Sequence, residues 1–282
     1  PYKIERGNRA FPVSDHASDV IRALERAMKE QDVRIRLHTQ VRELLIEDDK
    51  ATGVLLTDGG KIMADSLILA TGRLSYPTTG STGDGHTMAK NSGLKIVTPR
   101  PALVPLTTKE EYILRMQGLS LKNVSLKIKD EKRVIYDAFG EMLFTHFGVS
   151  GPLVLSASSV LSRHFPREYQ AYIDLKPALS EEVLNERLLR EFSERPNQHI
   201  KAVFQQLLPA KMIPVMIELS QISMDKPVNA ITKEERRRLV GLFKAFPFTI
   251  TGTRGFKEAI ITQGGVSVKD IDPATMESKR IK

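Results

Sequence analysis

"DSLILATGRLSYPTTGSTGDGHTMAKNSG" (residues 65–93) sets glycines 72, 80, 83, 85 and 93 and Pro77 between an apolar run and a stretch of helical character. Glycine loses more conformational freedom on folding than any other residue. A cluster of it means that the backbone turns sharply or approaches something closely. That something is either a ligand or another piece of protein, and the spacing alone admits both. "SLILATG" (66–72) reads as a strand buried on both faces. A strand ending in Ala-Thr-Gly suits a nucleotide site at its carboxyl end, where small residues let the backbone come near a ligand. Glycines 83 and 85 open a predicted helix whose free N–H groups and dipole favour negative charge or an acceptor atom. Asp84 between them can cap that helix or hold a ribose or flavin hydroxyl.

Outward from this junction, "DHASDVIRALERAMKE" (15–30) places Ala17, Val20, Ile21, Leu24, Ala27 and Met28 at helical spacing, with Ser14 or Asp15 able to cap. The runs 33–39, 41–48 and 52–58 read as short strands, with "DGGK" (58–61) as a hairpin turn. Helix, strands, then a buried strand entering a glycine loop is the order of an α/β nucleotide-binding layer. Prolines 99, 101 and 105 mark a boundary, since proline breaks helices and sits poorly in central strands. From 119 to 175 short strands alternate with turns, as in a small antiparallel barrel, interrupted by a helix over 150–165 that follows a Ser-Gly-Pro start. Residues 180–245 read as helical, with Ser180 before two acidic residues as a start and Pro209 and Pro214 as breaks. Residues 248–268 return to strand texture.

The 282 residues, 41% hydrophobic and 27% charged, hold no cysteine, which excludes a disulfide framework, thiolate metal sites and a dithiol relay. A reducing, cytoplasmic setting is the expectation, and no apolar stretch approaches a membrane span. Against 34 Asp+Glu, 42 Lys+Arg give a net charge of +8, which suits an anionic ligand or a nucleic acid and equally a solvated surface. Pro1 at one end and a polar run before Lys282 at the other are read as the ends of a piece of a longer protein.

Four stretches, "GNRAFPVS" (7–14), "LILATGRLSYPTTGSTGDG" (67–85), "LFTHFGVSGP" (143–152) and "ITQGGVSVKDIDPATMESK" (261–279), carry a resemblance in order over nearly the whole chain. The chain resembles the HI0933-like, or BaiN-like, family of FAD-dependent oxidoreductases, also known as NAD(P)/FAD-dependent dehydrogenases. Its "TGDG" helix start is also similar to the fumarate reductase and succinate dehydrogenase flavoproteins. The resemblance implies an α/β, Rossmann-like FAD-binding domain, partial here, with an inserted antiparallel β-barrel that itself carries a small helical domain. The implied bounds are 1–96 with 262–282, then 97–179 with 246–261, then 180–245. A "GGGxxGL"-like fingerprint and a "GLYFAGE"-like closing segment belong to the family pattern and do not occur in these residues. The main pyrophosphate cradle and the acidic ribose ligand are therefore expected outside them.

Carried over by position, the resemblance implies that Val41 meets the adenine through its backbone. Ala70, Thr71 and Gly72 would line the phosphate and ribose region, and Gly83, Asp84 and Gly85 would sit near the cofactor. Gly264, Gly265 and Val266 would lie near the isoalloxazine. Ordinary strand packing is the competing reading of Val41 and Ala70, and a tight turn that of Gly264–Gly265. For chemistry, a proton donor must face the flavin and another group must polarise the substrate. His146 in "FTHFGVSGP" is the first candidate, with Ser150 and Arg9 behind it. A barrel histidine with an internally bonded ring, and a structural ion pair, compete with those roles. No histidine or carboxylate cluster has metal-ligand spacing.

Two function classes follow. One is an FAD-dependent reductase, drawing on NAD(P)H, that saturates a conjugated C=C in a small molecule. The other reduces uridine to dihydrouridine in ribosomal RNA, for which the basic run "KEERRRLVGLFK" (233–244) would suit a phosphate-rich partner. A solvated helix face is the alternative reading of that run.

Overall fold

The computed structural model describes residues 1–5 and 8–282, in two compact units, Pro1–Leu67 and Ile68–Lys282. Gly7, the first residue of the "GNRAFPVS" stretch, lies outside the described residues.

In the first unit, β1 (Tyr2–Glu5) pairs with β2 (Arg9–Pro12), α1 spans Ala17–Glu30, and β3 (Val41–Glu47), β4 (Lys50–Leu56) and β5 (Lys61–Met63) form a three-stranded antiparallel sheet. The expected turn forms between β4 and β5. The Leu56 amide donates to the Gly60 carbonyl at 2.8 Å, and Asp58 Oδ1 accepts from the Gly60 amide at 2.8 Å. Helix α1 forms where its period predicts. It is entered from His16 without a side-chain cap, so neither Ser14 nor Asp15 serves as one. No residue of α1 is buried, and Leu24 on its apolar stripe is 60% exposed. The run 33–39 is not a strand, because no described strand lies beside it to complete its hydrogen bonds.

The second unit opens on the decisive stretch, and one expectation fails there. Residues 67–73 join no sheet, and Ile68 is 90% exposed. A strand buried on both faces needs parallel neighbours, and every strand pair among the described residues is antiparallel. The helix does form as predicted, as α2 (Asp84–Asn91). Next come β6 (Ile96–Ala102), β7 (Leu106–Thr108), α3 (Glu111–Arg115), β8 (Ser120–Asp130), β9 (Arg133–Thr145), β10 (Gly148–Ser150), α4 (Pro152–Leu161) and β11 (Tyr169–Asp174). The helices α5 (Glu181–Glu194), α6 (Ile200–Phe204), α7 (Ile213–Ser220) and α8 (Lys233–Lys244) precede β12 (Phe246–Thr253) and β13 (Ile261–Val266).

Six of these strands close a barrel in the order β10-β7-β12-β11-β8-β9. Period-two alternation builds it. Along β8, Val124, Leu126 and Ile128 are buried while Lys127 between them is exposed, and along β11 Tyr169, Ala171 and Ile173 face in. Each such side chain removed from water contributes roughly 1.5–3 kcal/mol before the cost of ordering the chain. The helices add Leu184, Leu188 and Phe192 of α5 and Leu239, Val240 and Phe243 of α8 to one continuous core. Ser180 Oγ accepts from the Val183 amide to start α5, and a Thr232–Glu235 capping box starts α8. Lys244 at the end of α8 lies 2.6 Å from Asp174 Oδ2 and donates to the Lys176 and Leu179 carbonyls, stapling the helices to β11.

Outside the barrel, β6 and β13 form a two-stranded ribbon that pairs Ile96 with Val266 and Ala102 with Ile261, with a bulge between Gln263 and Gly265. The prolines at 99 and 101, expected to mark a chain boundary, lie inside β6. A two-stranded ribbon leaves one edge of each strand unpaired, so a missing amide there breaks no ladder bond.

Candidate functional site

The glycine loop approaches protein at several points, and these contacts assemble the site. A Cβ on Gly72 (φ +76°) would lie 2.7 Å from Ser81 Oγ, and one on Gly83 (φ +87°) 2.7 Å from Leu74 Cδ2. A Cβ on Gly85 would strike Thr71 Oγ1, so Gly85 lets the Ala-Thr-Gly segment rest on the first turn of α2. On the other side a Cβ on Gly265 (φ +104°) would lie 2.9 Å from His86 Nε2, and one on Gly264 (φ +94°) 2.7 Å from the Thr98 carbonyl oxygen. Thr71, Gly72, Gly83, Asp84, Gly85, Gly264 and Gly265 are thus drawn together around the start of α2.

A second set of bonds fixes the loop to β13. Arg73 Nη1 donates to the Thr262 carbonyl at 2.8 Å. The buried Thr262 Oγ1 accepts from the Leu74 and Ser75 amides at 3.2 and 3.1 Å and lies 3.0 Å from Ser75 Oγ. Beside this clasp is an open cleft of about 430 Å³ lined by Arg73, Ser75, Tyr76, Ile260, Ile261 and Thr262.

His86 is the residue at this centre that the sequence reading passed over. Its Nδ1 is buried without a hydrogen-bond partner, while Nε2 faces Gly265. Burial first, and the positive charge of Arg73 second, push its pKa below the ordinary value of 6.5, so the ring is neutral at pH 7. Its place immediately after "TGDG", in the first turn of the predicted helix, was the available signal. Thr262, just ahead of Gln263 and the two glycines, gave none, since a lone threonine in a strand is ordinary.

The arrangement fits an acceptor-rich cofactor. No side chain caps α2, whose N-cap is Gly83 in the left-handed region, and the orphaned Nδ1 of His86 lies within its first turn. Asp84 is half-buried in that turn, and Ala70 is exposed. Val266 pairs with Ile96 at the end of the ribbon.

The remaining candidates sit elsewhere. Val41, in the first unit, starts β3 opposite Leu56 and is half-buried. Arg9, also in that unit, holds its guanidinium 6.0 Å from the Phe11 ring centroid. His146 is exposed at the turn between β9 and β10, edge-on to Phe147 at 4.9 Å, over which the Arg254 guanidinium lies at 4.4 Å. It is a turn residue rather than a barrel residue bonded internally. Ser150 is half-buried on β10 opposite Leu143, and no hydrogen bond or ring contact joins it or His146 to the α2 cluster. The glycines at 148 and 151 do permit close approach, but what approaches is the backbone of β7 and β9. Among the described residues no group of histidines and carboxylates could hold a metal ion, and no helix is long and apolar enough to cross a membrane.

Comparison with known proteins agrees with this architecture. Residues 100–261 match the family described as HI0933-like protein barrel and H2TH domain, and residues 2–97 match pyridine nucleotide-disulphide oxidoreductase. A ribosomal RNA dihydrouridine synthase of Haemophilus influenzae is 30% identical over 269 residues, 94% of this chain and 64% of that protein. A 3-dehydro-bile acid delta(4,6)-reductase of Clostridium scindens is 27% identical over 276 residues, 97% of this chain and 67% of the relative. A ribosomal RNA dihydrouridine synthase of Escherichia coli is 28% identical over 268 residues, 95% and 64% of the two chains. The chain thus spans about two thirds of the length of these relatives. With a region matching pyridine nucleotide-disulphide oxidoreductase followed by a closed six-stranded barrel and its helices, the chain belongs to the HI0933-like family.

Proposed function

We propose that this chain forms part of an FAD-dependent oxidoreductase that transfers hydride to a conjugated C=C of a small molecule, with NAD(P)H as electron donor. The observation that carries this reading is the convergence of three glycine segments, 70–72, 83–85 and 264–265, on the uncapped start of α2 beside the unpartnered Nδ1 of His86. The bound flavin supplies the hydride chemistry, and the polypeptide supplies position, electrostatics and a proton. Residues 70–72 and 83–85 line the nucleotide part, and Gly264, Gly265 and Val266 lie along the ring system. The neutral His86 stands in the first turn of α2 without adding positive charge there. His146, on the exposed turn between β9 and β10, carries the proton to the substrate carbon, with Ser150 assisting in orientation. In this reading 1–96 and 262–282 belong to the cofactor-binding domain, 97–179 and 246–261 to the insert that carries the barrel, 180–245 to the helical domain, and the setting is cytoplasmic.

The competing reading, reduction of uridine in ribosomal RNA, is favoured by the names of two relatives. The basic run on α8 lends it little support. Arg236 is bonded to Asn185, Arg238 to the Ser220 carbonyl, and Lys244 to Asp174, which leaves Lys233 and Arg237 as its cations without such bonds among the described residues. The test is to purify the full-length protein, record its flavin absorbance, and follow NAD(P)H oxidation with a panel of enones and with unmodified ribosomal RNA. Bound FAD with turnover on an enone supports the main reading. Turnover on RNA alone establishes the other, and a colourless protein that fails to take up FAD in titration ends both.

A further inference from the structure

Two paired strands without a third are marginal in water, so the β6–β13 ribbon needs support from elsewhere to hold its place. That support is α4. Arg100 and Gln263 stand opposite each other in the ribbon, and cross-strand partners share a face. Both are spent on the segment just past α4. Arg100 Nη1 donates to the Ser162 and Phe165 carbonyls at 3.1 and 3.2 Å. Gln263, with its amide oxygen toward the guanidinium, accepts from Arg163 Nε and Nη2 at 3.0 and 3.2 Å. Two buried hydroxyls complete the latch. Ser162 Oγ donates to the Pro101 carbonyl, and Ser158 Oγ accepts from the Val104 amide at 3.0 Å. Among the described residues no carboxylate pairs with Arg100, so its charge is set against carbonyl oxygens at the negative end of α4.

At its other end α4 is fixed to the barrel, where Tyr136 of β9 donates its hydroxyl to the Leu153 carbonyl at 3.0 Å. The helix therefore runs as a strut from the barrel wall to the ribbon. The bulge between Gln263 and Gly265 then re-aims the strand. On one side of it Gln263 grips the end of α4, and on the other Gly265 lies against His86 at the start of α2. We propose that Arg100 is a positioning residue for the cofactor site. Its hold on the end of α4 fixes, through β13 and the bulge, how closely Gly264 and Gly265 stand to α2. A site of this kind is only as precise as the shell that supports it, and here that shell is anchored in the barrel. Calling it a cofactor site rests on the FAD reading above; the coupling of Arg100 to Gly265 does not.

A double-mutant cycle in melting temperature on the full-length protein reads the coupling. Gly265→Ala sets a Cβ 2.9 Å from His86 Nε2 and lowers the melting temperature. With the latch released by Arg100→Gln the ribbon can give way, so the same substitution is expected to cost roughly half as many degrees or fewer in that background. Ser162→Ala, which removes one latch bond and leaves Arg100 in place, should give coupling of the same sign and smaller size. Arg115→Gln, which breaks the Arg115–Glu218 pair between α3 and α7, should leave the effect of Gly265→Ala unchanged. Titration of FAD into the flavin-free protein gives a second reading. Arg100→Gln should weaken binding roughly 10-fold, the equivalent of one hydrogen bond. Arg100→Lys, which keeps a cation and donors for the two carbonyls, should restore most of that loss, and Arg115→Gln should bind as wild type does. Additive effects of Gly265→Ala with both latch variants, or wild-type FAD affinity in Arg100→Gln, would overturn the proposal. A wild type that takes up no FAD while the cycle stays non-additive would overturn the FAD reading and leave the coupling standing.

Discussion

Arg73 and Thr262 are joined by a 2.8 Å hydrogen bond from the guanidinium Nη1 to the main-chain carbonyl, across 189 positions of sequence. Between them the chain makes the whole barrel and all the helices after α2, then returns along β13 to the loop it left. The contact therefore registers the glycine loop against the glycines that follow Thr262. Long-range polar contacts of this kind do not follow from periodicity, because each partner is unremarkable in its own segment.

The buried side chain of Thr262 is the centre of that register. Thr262→Val removes the acceptor for the Leu74 and Ser75 amides while keeping the branched shape. Leaving buried donors unsatisfied costs about 1–3 kcal/mol. Thr262→Ser keeps the hydroxyl and should stay within about 1 kcal/mol of wild type, the loss of a methyl group. Denaturant midpoints at constant slope measure both, and equal stability of the two variants would remove Thr262 from this role.

Gly265 faces a different constraint. Gly265→Ala places a Cβ 2.9 Å from His86 Nε2 on a backbone at φ +104°. Gly80→Ala, at φ +93° with nothing near its Cβ, carries the backbone strain alone. The left-handed strain is about 1–3 kcal/mol in each case, so the difference between the two variants isolates the clash. Combining Gly265→Ala with His86→Ala should recover most of that difference in urea melts. A Gly265→Ala no worse than Gly80→Ala would show that the imidazole simply moves aside.

How much of this was legible in the sequence depends on how local each cause is. The helix at 84–91, the barrel strands and the α5 start at Ser180 follow from period and capping chemistry within one segment. The run 66–72 reads as a buried strand because Leu67, Ile68 and Leu69 are apolar, yet burial depends on neighbours that sequence pattern does not supply. Pro99 and Pro101 read as a boundary, and the ribbon tolerates them because it has only two strands. His86 stood in the quoted loop, but its importance comes from Gly265, which lies 179 positions away. His146 drew attention by its glycine-rich context, and the structure puts it on an exposed turn rather than beside the cluster.

The pH dependence of stability carries a signature of His86. Burial and the Arg73 charge lower its folded-state pKa, so the unfolded chain binds the proton more readily. Stability from keeping the ring neutral is full above the unfolded value near 6.5 and is lost as pH falls from there toward the folded pKa. His86→Gln should flatten the fall in melting temperature below pH 6.5 relative to wild type, with little change at pH 8. Identical pH profiles for the two proteins would mean that the imidazole is protonated without penalty.

His146 gives the sharpest separation between structure and chemistry. Its exposure on the β9–β10 turn means that truncation removes little buried surface, so His146→Ala should change stability by no more than about 0.5 kcal/mol. Its edge-on packing with the Phe147 ring is replaceable because Arg254 also covers that ring. Flavin content should be unaffected, since the glycine segments around α2 do not include it. If His146 delivers the proton, turnover normalised to bound flavin falls by roughly 10²–10⁴-fold, with the solvent isotope effect altered and flavin reduction by NAD(P)H unchanged. A purely structural role predicts the reverse: a lowered melting temperature and an ordinary rate in the protein that remains folded. A melt, a flavin spectrum and a half-reaction rate on one preparation decide between them, and an unchanged rate on all substrates removes His146 from the chemistry.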